Sequence, residues 1–65
     1  MPRSYKPEID AMARALIRQY GAEAEIIAAG HADTMLDVGD VIAFDTWKAV
    51  MALIRHLQAG QAHRL

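Results

Sequence analysis

Cysteine is absent from this 65-residue chain, which excludes a disulfide framework and any zinc or iron–sulfur site held by thiolates. Positive charge is scarce as well: seven Lys and Arg stand against eight Asp and Glu, a net charge of −1. That balance excludes binding driven mainly by phosphate neutralisation. No apolar run approaches the roughly 18 residues of a membrane span; the longest is Ala49–Ile54. The opening Met1-Pro2-Arg3-Ser4-Tyr5-Lys6 lacks the apolar stretch of a signal peptide, so a cytoplasmic, reducing setting is expected. With 54% hydrophobic residues the chain is too apolar for disorder. One small domain spanning 1–65 follows, with residues 1–6 and 59–65 as flexible tails.

What is present is mostly helix-forming. Alanine is the commonest residue, β-branched residues never alternate usefully, and the punctuation is Pro2, Pro7, Gly21, Gly30, Gly39 and Gly60. The pattern predicts an all-α three-helix bundle over about 7–20, 22–38 and 41–58. In the first helix Ile9, Met12, Ala13, Leu16, Ile17 and Tyr20 form one apolar stripe, with Asp10, Arg14 and Arg18 opposite. Pro7 suits its first turn, with Ser4 as cap or Lys6 simply extended before the proline, and Gly21 ends it.

In the second helix, Glu23 and Glu25 meet the positive end of the helix dipole. Ala24, Ile27, Ala28, His31, Thr34, Met35 and Val38 share one face, and Glu23, Asp33 and Asp37 the other. Gly30 lies inside, where glycine costs about 1 kcal/mol relative to alanine. It marks either a close helix approach or a kink. Gly39 then stops this helix and Asp40 caps the next.

The third helix carries its main stripe on Ala43, Trp47, Val50, Met51, Ile54 and Leu57. Ile42, Ala49 and Leu53 widen that stripe on one side and Phe44 on the other, well beyond the arc that a surface helix needs. A chain this short barely offsets its ordering entropy, so disulfides, metals or oligomerisation commonly assist. With cysteine absent, a homodimer through helix 3 is the expected device, with Ile42, Ala49, Leu53 and Trp47 at the interface. Charge is uneven along the chain. Residues 21–45 carry six acidic groups and no basic one, while the segments on either side are basic on balance. The acidic helix is expected to rest against basic neighbours; as a sharper alternative, Glu23, Asp33 and Asp37 form a docking patch for a basic partner.

Sites of chemistry are not evident. His31, in the middle of the helix 2 stripe, reads as a neutral core histidine rather than a ligand or proton switch, and would then lower stability below about pH 6. His31 and Asp33 point to different faces, no His-x-x-x-His or Glu-x-x-His pair occurs, and His56 and His63 lie near a fraying end, so no metal is expected. Ser4, Thr34, Thr46 and the two tyrosines have no paired base and orienting acid. No glycine-rich phosphate loop is present. No catalytic residue, cofactor or enzymatic activity is therefore expected.

Helix 2, the Gly39-Asp40 turn and helix 3 do outline a helix-turn-helix. The positions that would read bases, however, hold Val41, Ile42, Phe44 and Asp45. A DNA-binding regulator is thus the alternative to a non-enzymatic interaction or regulatory protein that self-associates and binds a protein partner. Neither nucleic acid nor membrane is the expected partner. Trp47, Met12, Met35 and Met51 read as core filler that would also suit a binding surface.

Two strings add a resemblance. Arg18-Gln19-Tyr20-Gly21-Ala22-Glu23-Ala24, and Gly39-Asp40 followed by Trp47-Lys48-Ala49-Val50, resemble short uncharacterised all-helical proteins of alphaproteobacteria, a domain of unknown function. Those proteins carry a Gln-aromatic-or-His-Gly corner, a Gly-Asp corner and a Trp-Lys helix in that order. The resemblance covers most of residues 8–58 and rests on Gly21, Gly39, Asp40 and Trp47, all structural positions. It implies the helix boundaries and a bacterial cytoplasmic origin, and no activity.

Overall fold

The computed structural model describes residues 6–62, with side-chain surroundings through residue 60. It is all-helical: α1 (Pro7–Tyr20), a 3-10 turn (Gly21–Glu23), α2 (Ala24–Val38) and α3 (Val41–Ala62). Two of the expected boundaries change. The 3-10 turn occupies the residues assigned to the start of helix 2, and α3 runs on past Gln58 to Ala62, so residues 59–62 belong to a helix rather than a tail. Residues 1–5 and 63–65 of the expected tails lie outside the described residues, as do Ser4 and His63.

Each boundary has a local cause. Lys6 is extended (φ −63°, ψ 151°), and with Pro7 behind it the carbonyl of Lys6 accepts from the Ile9 and Asp10 amides at 3.0 and 3.1 Å. Gly21 takes φ 59°, ψ −124°, a conformation that a side chain would oppose, and turns the chain out of α1. At the other corner Gly39 is left-handed (φ 81°, ψ 17°). Its amide donates to Leu36 O at 3.1 Å while the Asp40 amide donates to Met35 O at 2.9 Å, the paired bonds of a Schellman end. Asp40 then serves the next helix: its Oδ1 accepts from the Ala43 amide at 3.0 Å and its carbonyl from Phe44 at 2.9 Å. Two residues therefore end one helix and begin another.

The tight corner fixes the topology. α2 runs back antiparallel along α3, pairing Glu25 with Arg55 near one end and His31 with Trp47 nearer the other. α1 lies along α3 in the same direction. Its start, at Lys6, Glu8 and Ile9, borders Asp45 and Thr46, and its end, at Ile17 and Arg18, borders Leu57. Gln58 locks the α1–α2 corner onto α3 by donating Nε2 to Gly21 O at 2.8 Å. α2 makes the broader contact with α3 and α1 the lesser one. Extents of 41 × 30 × 15 Å show a flattened body rather than a round bundle of three equal helices.

The core is small. Its buried residues are Ala13, Ala24, Ala28, Ala32, Val50, Leu53 and Ile54, with Ile9, Met12, Leu16, Ile17, Trp47, Met51 and Leu57 packed against them. The apolar stripe of α1 and the main stripe of α3 lie where their spacing places them, except that Tyr20 is exposed. α2 follows its expected face in part: Ala24 and Ala28 are buried and Ile27 and Met35 half-buried, as their spacing places them, but the buried side is rotated toward Ala32. Its buried ridge is Ala24, Ala28 and Ala32, whereas His31, Thr34 and Val38 are exposed. Apolar residues occur all around α2, so hydrophobicity alone leaves its rotation open. Three alanines at i, i+4 and i+8 give the ridge that lets the backbone come closest to the bulky stripe of α3.

Gly30 serves neither purpose expected of it. The α2 helix continues through it, and a Cβ there would meet nothing within 4 Å.

Candidate functional site

The four residues expected at the interface do not form one surface. Ile42 is 80% exposed, whereas Leu53, on the same side of α3, is only 6% exposed within the single chain. Leu53 is therefore a core residue, already covered, and is corrected as such. Ala49 and Trp47 are half-buried. The reason is length. At 1.5 Å per residue, α3 with its 22 residues is about 33 Å long and α1 with its 14 only about 21 Å. The cover from α1 begins opposite Asp45, one turn beyond Ile42.

Near that end of α3 other large aliphatic side chains are also exposed, Leu36 and Val38 on different sides of α2. Leu36 (55% exposed) and Val38 (69%) leave the last turn of α2, and Val41 (61%) joins Ile42 in the first turn of α3. They flank the Gly39-Asp40 corner with the exposed carboxylates Asp37, Asp40 and Asp45 at its rim. Sequence reading placed Val38 on the apolar face of helix 2, weighed Val41 only as a base-reading position, and did not single out Leu36. The available signal was their position beside a two-residue turn, which among the described residues no third helix reaches over. Adjacent apolar residues exposed together, with a polar rim, mark interaction sites more often than scattered ones do.

The corner also bears on the alternative reading. In a DNA-binding helix-turn-helix the two helices cross at about 90–120° through a turn of 3–4 residues. Here α2 and α3 lie antiparallel along their lengths, and the exposed start of α3 offers Val41, Ile42 and Asp45.

His31 is the second correction. It is exposed, and its ring stacks on Trp47 with centroids 4.3 Å apart and planes at 18°. Trp47 thus fills two roles, packed on the core cluster and capped by an imidazole face. One turn away, Lys48 Nζ lies 5.3 Å from the centroid of the Phe44 ring.

Charges divide between both expectations. Glu25 Oε2 accepts from Arg55 Nε at 2.9 Å and also from its terminal nitrogen, tying α2 to α3. That carboxylate, through its hydrogen bonds first and its charge second, raises the Arg55 guanidinium above its ordinary value. Arg14 pairs with Asp10 one turn earlier on α1, Nε donating to both oxygens at 3.1 Å. By contrast Glu23, Asp33 and Asp37 are exposed and make no ion pair among the described residues. Among the described residues no three His, Cys, Asp or Glu side chains come together as a metal site, and no helix is long and apolar enough to cross a membrane.

Two open grooves border α1, one against Asp45 and Thr46 and one against Leu57. The first is lined by Lys6, Glu8, Asp45 and Thr46, and the Thr46 hydroxyl donates to Ile42 O at 3.1 Å rather than to a carboxylate among the described residues. In comparisons with protein-family models, curated proteins and solved structures, nothing matches the chain.

Proposed function

We propose that this chain is a small non-enzymatic helical interaction or regulatory protein that forms a homodimer and binds a protein partner through helix faces. The observation that carries the reading is the corner formed by Leu36, Val38, Val41 and Ile42. Four large aliphatic side chains stand more than half exposed there, while among the described residues only Val50, Leu53 and Ile54 are buried large side chains. A second copy is the occupant assigned to the corner, because a self-complementary apolar patch needs only a two-fold axis to cover itself. This revises the expected helix 3 interface: Ile42 remains, Leu36, Val38 and Val41 join it, and Leu53 leaves.

The acidic rim makes the contact distinctive. Two copies bring Asp37, Asp40 and Asp45 toward their own counterparts, so screening by salt should strengthen this dimer rather than weaken it. Light scattering of the full chain over a concentration series tests the reading, with Ile42→Asp as the control. A dimer that strengthens with salt and is lost in the variant is expected. A chain that stays at 7.2 kDa throughout overturns it.

A further inference from the structure

A different surface carries a second, oppositely charged contact. Between the end of α1 and α3 lies an open groove of about 320 Å³, lined by Arg14, Ile17, Arg18 and Leu57. Its floor is apolar, since Ile17 and Leu57 are half-buried against the core, and the two guanidinium groups stand at its edge, exposed. Arg18 has no carboxylate partner among the described residues, and the terminal nitrogens of Arg14 make no hydrogen bond among them either. A groove with an apolar floor and an arginine rim fits an apolar knob flanked by carboxylates.

Such a knob stands on α2. Ile26, Gly30, Asp33 and Asp37 fall at i, i+4, i+7 and i+11, one outward stripe, with Glu23 a turn before. Ile26 is 69% exposed and is the sole large aliphatic of that stripe. Gly30, next to it, leaves open space where a side chain would stand, so another helix can come close to the backbone there. The glycine that has no reason inside the chain acquires one outside it. Within one copy, Arg14 and Arg18 make no ion pair with Glu23, Asp33 or Asp37 among the described residues, so the groove and the stripe do not satisfy each other there.

We propose that the groove lined by Arg14, Ile17, Arg18 and Leu57 receives the Ile26 stripe of a second copy, its Glu23, Asp33 and Asp37 carboxylates meeting the two arginines. The contact joins unlike surfaces, so each copy keeps one groove and one stripe available and assembly continues past the dimer unless a ring closes. It shares only Asp37 with the rim of the corner dimer and responds to salt in the opposite sense, weakening as charges are screened.

Charge reversal in the full chain tests it. Arg14→Glu with Arg18→Glu forms one variant and Glu23→Lys with Asp33→Lys the other, all at exposed positions and none at the rim of the corner. At low salt the wild-type mass should exceed that of the salt-strengthened corner dimer. Each variant alone should lose at least about tenfold in the association constant of this larger species, and an equimolar mixture should regain it. Ile26→Ser, which leaves every charge in place, should lose it too; it serves where a reversal disturbs folding, as judged by circular dichroism. If single variants assemble as the wild type does, if mixing restores nothing, or if Ile26→Ser has no effect, the groove has another occupant and the proposal fails. The corner dimer is read separately through Ile42→Asp, so loss of one contact is not mistaken for loss of the other.

Discussion

Replacing Leu53 and Ile42 in turn by aspartate separates core from surface on one side of one helix. Leu53 is buried among Ala13, Val50 and Ile54, and its removal forfeits about 1.5–3 kcal/mol of apolar burial. The carboxylate left in its place has no cation in that core, which adds several kcal/mol or forces protonation. A chain of 65 residues has a total stability of about 3–10 kcal/mol, so Leu53→Asp should be largely unfolded. Ile42 is 80% exposed and gives up only a small part of its transfer energy, within about 0.5 kcal/mol. An aspartate in the first turn of α3 also gains from the helix dipole, by about 0.3–1 kcal/mol. Far-UV circular dichroism with urea titration is the assay, run below the concentration at which copies associate. Leu53→Asp should show little helix at zero urea, and Ile42→Asp a wild-type midpoint. A folded Leu53→Asp chain would refute the packing of α1 and α2 over α3, and an unfolded Ile42→Asp chain would refute the exposed corner.

The glycines should divide by conformation. Gly30→Ala should stabilise by about 1 kcal/mol, raising the thermal midpoint by about 4–8 °C, because the helix accepts it and nothing obstructs the methyl group. Gly21→Ala and Gly39→Ala should destabilise, by about 1–3 kcal/mol, with Gly21 the worse since its ψ of −124° lies outside the left-handed helical region that Gly39 occupies. Loss of the cap in Asp40→Ala should cost about 0.5–2 kcal/mol in chemical denaturation, read at a fixed chain concentration. His31→Ala should change the emission of Trp47, the single tryptophan, while the stability change stays within about 1.5 kcal/mol. An unaltered emission spectrum would refute the stack.

Legibility in the sequence followed the strength of local physics. Gly39-Asp40 was readable because each residue performs a local task, a left-handed stop and a side-chain cap, that needs no distant partner. Gly21 was readable as a stop for the same reason, but the 3-10 turn after it was not, since Ala22 and Glu23 are equally compatible with an α-helix. The stripes of α1 and α3 were readable because large apolar residues recur on one side. α2 has Ile26, Ile27, Leu36 and Val38 distributed around it, so periodicity oriented it only in part, placing Ala24 and Ala28 inside and missing Ala32. The alanine ridge that does orient it offers little hydrophobicity and acts by allowing close approach, a property of the neighbour as much as of α2. This shifted His31 and Val38 from core to surface. The candidate interface failed at Leu53 for a related reason. Girth around a helix is visible in a sequence, but how far along its axis a shorter helix extends is not.

Close packing through alanine also bounds how tightly the proposed corner dimer can hold. Among the described residues four of the seven buried ones are alanines, so larger aliphatics are left outside to be covered by association. Burying the exposed parts of Leu36, Val38, Val41 and Ile42 contributes about 1.5 kcal/mol each, or about 12 kcal/mol for two copies. Association costs about 4–15 kcal/mol in lost rigid-body freedom, before the repulsion of the acidic rims. At most about 8 kcal/mol remains, a dissociation constant no tighter than about micromolar. The dimer should then dissociate on dilution, and its melting temperature should rise with chain concentration as mass action requires. Sedimentation velocity over a hundredfold dilution series checks this. A dimer that persists at nanomolar concentration would need far more buried surface than the corner supplies, and would place the principal contact elsewhere on the chain.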